Sequence, residues 1–243
     1  MTTRKGVRFV MGIVGITAVL VLCMHAAVAV AKMVSATTIL YDGSLNTGTP
    51  DTQSMSYTSL PSITYHTFSN GVTTLDTTAD YNIYAGYLGD QSVPALDRTQ
   101  GYTLQFTIQI DSESHIDSHR AGFSVIILSE DIKGIELGFW QNEIWAQHDD
   151  NTGVLFTHGE GAAFDTTAAL TTYQLAVIGD IYTLSANHVS ILTGPLRDYS
   201  NFTGPVDPYE TPNVIFLGDN TTSAQAVTQL TYIAVTVNVP IDG

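Results

Sequence analysis

Apolar and polar residues alternate with a period of two along most of this chain. In residues 102–110, Tyr102, Leu104, Phe106, Ile108 and Ile110 are separated by Thr and Gln without a fault. That pattern predicts a strand with one buried and one wet face. Residues 122–128 are more evenly apolar and predict a central strand. Asn70-Gly71 sits between segments 63–68 and 72–75, and Gly179-Asp180 between 173–177 and 182–186, each with the turn chemistry of a β-hairpin. Further strands are expected over 38–41, 81–87, 135–140, 143–147, 190–196, 214–217 and 230–237. Helical periodicity is almost missing, and only 162–170 offers room for a short helical turn. Many short strands with Gly, Asn, Asp and Pro between them predict an all-β sandwich or barrel.

The beginning of the chain breaks this pattern. Arg4, Lys5 and Arg8 precede an apolar run over 9–31 that holds no charged residue and ends in Ala27-Val28-Ala29-Val30-Ala31. A basic start, an apolar middle and small residues at the end describe a secretory signal peptide. The run is also long enough to span a bilayer, so an uncleaved membrane anchor is the alternative. The expected organisation is a signal segment over 1–31 and one domain over 32–243, secreted or held at the cell surface.

Setting the leader aside changes the charge. It holds three of the eight Lys and Arg and none of the 23 Asp and Glu, so the rest carries five against 23, a net charge of −18 where the whole chain has −15. Such a domain repels phosphate backbones, which excludes nucleic acid as a partner. The one cysteine, Cys23, lies in the leader, so the domain is built without a disulfide. About 210 residues bury enough surface to do so.

One hairpin carries the most specific chemistry. In segments 135–140 and 143–147, joined by Gln141-Asn142, alternation places Ile135, Leu137, Phe139, Ile144 and Ala146 on the core side. The opposite face then holds Glu136, Gly138, Trp140, Glu143, Trp145 and Gln147. Two indoles on the non-core face of a sheet make a platform for sugar rings, with Glu136, Glu143 and Gln147 supplying polar contacts to hydroxyls. The alternative is a second small core beneath loops. Glycoside hydrolysis wants two carboxyls roughly 5–9.5 Å apart. In this register Glu136 and Glu143 stand four residues apart along the ladder, on the order of 13 Å. Jelly-roll laminarinase-type enzymes place acids at i, i+2 and i+5, and here those positions read Glu136, Gly138 and Gln141.

Other groups are less specific. Glu113, His115, Asp117 and His119 alternate and could gather metal ligands, although a solvated loop explains them as well. Asp149-Asp150 and Asp219-Asn220 are oxygen-rich turns in which Asp149, Asp150 and Asp219 could hold a structural Ca2+, though neither has a complete calcium-loop spacing. Ser124 and Ser185 lack a nucleophile elbow. Asn201-Phe202-Thr203 and Asn220-Thr221-Thr222 are glycosylation sequons.

Tyr41-Asp-Gly-Ser-Leu45, Arg120-Ala-Gly-Phe-Ser-Val125, Gly134-Ile-Glu-Leu-Gly-Phe-Trp140 with Ile144-Trp145, and Gly194-Pro-Leu-Arg-Asp-Tyr199 together resemble bacterial choice-of-anchor ectodomains. The resemblance spans nearly all of the chain after the leader. It implies a concanavalin A-like or laminin G-like fold, a two-sheet antiparallel jelly-roll β-sandwich on an exported protein. Residues 238–243 carry no apolar helix or basic cluster, so release or tethering by the leader is expected over C-terminal attachment. The expected function is a non-catalytic module that binds carbohydrate. A structural or adhesive matrix protein is the first alternative and a polysaccharide-acting hydrolase the second.

Overall fold

The computed structural model describes residues 33–149, 154–204 and 207–241. The leader over 1–31, and with it the signal-peptide reading, lies outside them, as does Asp150.

Among the described residues fifteen strands form two antiparallel sheets, the jelly-roll sandwich that the alternation and the resemblance predict. The first sheet runs β13 (Val189–Pro195), β12 (Ile181–Ala186), β11 (Thr171–Ile178), β6 (Tyr102–His115), β15 (Ala224–Pro240), β4 (Val72–Asp76) and β3 (His66–Ser69), and β1 (Met33–Asp42) also pairs with β15. The second runs β10 (His158–Ala163), β9 (Glu143–Gln147), β8 (Gly134–Phe139), β7 (Ser124–Leu128), β14 (Ile215–Asp219), β5 (Tyr84–Gly89) and β2 (Met55–Leu60).

The inward-facing residues of both sheets make one core. Leu104, Phe106 and Ile108 of β6, Leu175 of β11 and Val235 of β15 meet Leu137 and Phe139 of β8, Val125 of β7 and Leu217 of β14. Aromatic edges lock the sheets together: Phe139 meets Phe106 at 5.9 Å and 79° and Tyr173 at 5.4 Å and 80°. Such edge-to-face pairs add to the stabilisation from the area they bury. Both expected hairpins form. Asn70 and Gly71 have φ of 51° and 81°, as a turn matched to strand twist requires, and Gly179 takes φ of 60° at the first position of its turn.

The helical turn expected over 162–170 does not form. Strand β10 runs to Ala163, and Asp165 then ties a turn by accepting from Thr167 N and Oγ1. A carboxylate that bonds the backbone two residues on favours a turn over a helix.

Candidate active site

Strands β7, β8, β9 and β14 turn their second face away from the core. Ile126 and Leu128 on β7 and Phe216 on β14 would leave that face apolar and wet, but Phe156, Tyr199, Tyr209 and Val214 from the loops close over it. Phe156, Tyr199 and Tyr209 meet one another with ring centroids 5.2–5.6 Å apart. Beside this second small core a cleft of about 640 Å3 remains, with Glu136 of β8, Gln147 of β9 and Asn220 at its floor and Tyr209 in its wall.

Glu136 is the focus of the cleft. Its side chain is 2% exposed. One carboxylate oxygen accepts a short hydrogen bond from the Tyr209 hydroxyl, and the other accepts from Asn220 Nδ2 at 2.9 Å. Burial, and then the negative charge of Glu136, push the Tyr209 hydroxyl well above its ordinary pKa, so Tyr209 keeps its proton and serves as donor. The strands are spread at this point. The Tyr199 hydroxyl sits between them, accepting from Glu136 N at 3.2 Å and donating to Gln147 O at 2.8 Å. One buried tyrosine thereby fixes the backbone of both Glu136 and Gln147.

Gln147 is 1% exposed. Its Nε2 donates to His119 O at 2.9 Å, while its Oε1 is buried with no hydrogen-bond partner among the described residues. The cleft is also lined by Asp117 and Arg120 from the loop after β6, and by Asp207 from the segment before Tyr209. Arg120 Nη1 donates to the backbone oxygens of His119 and Phe156, and its guanidinium lies 5.2 Å over the Phe156 ring.

The tryptophan platform is closed, and the stacking role expected of it is corrected. Trp145 is fully buried, and the imidazole of His158 stacks on it at 4.2 Å and 10°. His115 stacks on Trp140 at 4.2 Å and 10°, while Trp140 Nε1 donates to Arg120 O at 2.8 Å. Imidazoles fill the places a pyranose would take, because the loop over 115–121 and strand β10 fold back across this end of the face. Gly138 makes the packing possible, since an added Cβ there would lie 2.9 Å from two Trp145 ring carbons. Glu143 does not join Glu136. Its Oε1 meets His158 Nε2 at 3.1 Å, and the observed register keeps it opposite Trp140, with Trp140 N donating to Glu143 O.

The acidic turns are engaged within the protein. Asp219, 1% exposed, accepts from Thr77 Oγ1 at 2.7 Å and Thr221 N at 3.1 Å, and Asp149 accepts from Asp198 N at 3.2 Å. Among the described residues no group of three or more His, Cys, Asp or Glu could hold a metal ion, so the calcium reading rests on sequence alone. Glu113 and His115 pair at 3.0 Å, while His119 Nδ1 accepts from His158 N. Tyr209 carried no signal in the sequence, and Tyr199 entered only as the end of a motif in the resemblance. Asn220 stood out as a sequon and as part of an oxygen-rich turn, and neither signal pointed to its bond with Glu136.

No protein-family model matches this chain, and no curated protein matches it. Solved structures do. A conserved carbohydrate esterase from Shiga toxin-encoding bacteriophage phi24B overlays with a TM-score of 0.56 at 14% identity, over 84% of this chain and 100% of that one. An endo-1,3-β-glucanase from Streptomyces sioyaensis gives 0.45 at 11% identity, over 72% and 78%. The laminarinase from Rhodothermus marinus gives 0.43 at 12%, over 72% and 81%. The fold is therefore the concanavalin-like jelly roll. The expectation of a non-catalytic carbohydrate-binding module is overturned: the indole platform on which it stood is occupied by the protein's own histidines, and the phage protein that shares the fold is described as a carbohydrate esterase.

Proposed function

We propose that this domain is a polysaccharide-acting hydrolase working in the cleft on the outer face of the second sheet. The observation that carries the reading is Glu136, a buried carboxylate at a cleft floor, fixed by Tyr209 and Asn220. Proton transfer at a glycosidic oxygen needs a carboxyl whose position and surroundings are set before substrate arrives. Tyr199 holds its backbone, Asn220 and Tyr209 hold its oxygens, and the aromatic wall keeps bulk water back. A second carboxyl is required for hydrolysis, and Asp117 and Asp207 line the same cleft from the loops. No histidine is among the described residues lining it, which favours carboxylate chemistry over a serine–histidine esterase. The phage protein with the fuller overlap is described as a carbohydrate esterase, and it supports the substrate class through the fold alone.

The test is release of reducing ends from a panel of polysaccharides. Glu136→Gln, nearly isosteric, should lower the rate by about 10²–10⁴-fold, the range for loss of one general acid or base. An equally active variant, or no reducing ends from any polymer, would overturn the reading. The leader and the resemblance to choice-of-anchor ectodomains support an extracellular or surface place of work, to be tested by fractionating the producing cells and their medium.

A further inference from the structure

We propose that His119 is a proton-operated latch on the wall of the cleft: unprotonated at Nδ1 it fastens the 115–121 loop to strand β10, and acid releases that fastening. His119 Nδ1 accepts from His158 N at 3.0 Å. A backbone N–H can only donate, so this ring nitrogen is bare and the neutral ring carries its proton on Nε2. Proton and hydrogen bond compete for one lone pair. Protonating Nδ1 would set two N–H groups against each other, so the bond is complete at high pH and lost as pH falls. Strand β10 is the edge of its sheet, and its register with β9 breaks between His158 and Gly161. The His158 N–H accordingly finds its acceptor off the sheet, in the loop.

The consequence reaches the cleft because Asp117 and Arg120, close to His119 in the chain, line it. His119 N donates to Asp117 Oδ1 at 2.8 Å, and His119 O accepts from Arg120 Nη1 at 2.8 Å. Release of the ring therefore acts on both lining side chains. The charged and titratable groups around it are Asp117 and Arg120 of its own loop and His158 of β10, whose Nε2 meets Glu143 Oε1 of β9 at 3.1 Å. Glu113 and His115 at the start of the loop pair with each other, and His148 after β9 lies beside Arg197 instead. Gln147 Nε2 on His119 O and Trp140 Nε1 on Arg120 O involve no group that titrates. These ties survive acid, so the wall loosens without detaching. The latch does not depend on which reaction the cleft performs.

The experiment measures amide-exchange protection of the purified protein, corrected for the intrinsic effect of pH, at about pH 7.5 and about pH 5, which spans the range where imidazoles change charge. Protection of the His158 amide and of 115–121 should fall by about tenfold at the lower pH, the size of one ordinary hydrogen bond, with residues 102–110 unchanged. His119→Asn places an amide oxygen where Nδ1 accepts, and that oxygen takes no proton at either pH. This variant should keep the protection and lose its dependence on pH. Equal protection of the wild-type loop at both values would overturn the proposal. So would an undiminished fall in His119→Asn, which would assign the effect to Asp117 or His158. Where the variant does not fold, the 15N shift of His119 Nδ1 in the wild type decides: it should change from the bare to the protonated form as protection is lost. A loop that loosens while Nδ1 stays bare would overturn the latch.

Discussion

Trp145 shows how far the environment of a residue can change its meaning. Lying flat over Gly138 and beneath the His158 ring, it contributes packing and presents no ring face to a ligand. Trp145→Ala should therefore destabilise the protein by about 3–5 kcal/mol, the range for emptying a buried aromatic site. Urea denaturation would read this, and a variant of wild-type stability would contradict it. Asp219 gives a different kind of prediction. Burial raises its carboxyl pKa well above 3.8, against the pull of its bonds from Thr77 and Thr221. With the folded value above the unfolded one, the folded state binds the proton more tightly. Its contribution is then complete below 3.8 and is lost as pH rises through the raised value. Asp219→Asn should flatten the fall of stability with pH across that window, seen as a smaller change in urea midpoint between acid and neutral pH.

At the level of elements, the hairpin of β8 and β9 does two jobs with one alternation. Its inward residues close the sandwich core, and its outward residues supply Glu136 and Gln147 at one end and an anchoring cluster at the other. Both ends hold the 115–121 loop, one through Gln147 Nε2 on His119 O and the other through Trp140 Nε1 on Arg120 O. Trp140→Phe keeps an aromatic ring and deletes the first of these bonds. Amide exchange over 115–121 should then quicken by about tenfold, the equivalent of one ordinary hydrogen bond, with β6 residues 102–110 unchanged. Mass-spectrometric exchange of the two proteins decides this, and equal protection in the loop would show that the bond does not hold it. Strand β10 illustrates what alternation misses. His158-Gly-Glu-Gly-Ala-Ala163 has little strand propensity, and it becomes a strand by pairing with β9 while Glu160 forms an ion pair with Arg197.

For the whole molecule, stability comes from burial between two sheets. Cys23 is the chain's one cysteine and lies ahead of the described residues, so no internal disulfide is available. The melting midpoint should be the same with and without dithiothreitol. A shift under reduction would mean that chains are cross-linked through Cys23. The catalytic test also belongs to this scale. The proposed role of Glu136 requires β8, the Tyr199 and Tyr209 segment and Asn220 after β14 to be brought together, so loss of activity in Glu136→Gln would probe the assembled cleft.

The sequence by itself determined the all-β class, the hairpins at Asn70-Gly71 and Gly179-Asp180, and which side of β8 and β9 faces the core. These follow from local rules: a side chain's face is set by its parity along the strand, and a turn by the backbone angles its residues tolerate. The tertiary structure alone decided what lies on the other face. The chain places Glu136, Tyr199, Tyr209 and Asn220 far apart, and their meeting depends on loop paths that no short-range pattern encodes. The same holds for His115, which read as part of a solvated loop, and for His158, which no pattern singled out, and the two became the covers of two tryptophans. Parity told which residues leave the core. Only folding told whether they meet water, substrate or another part of the chain.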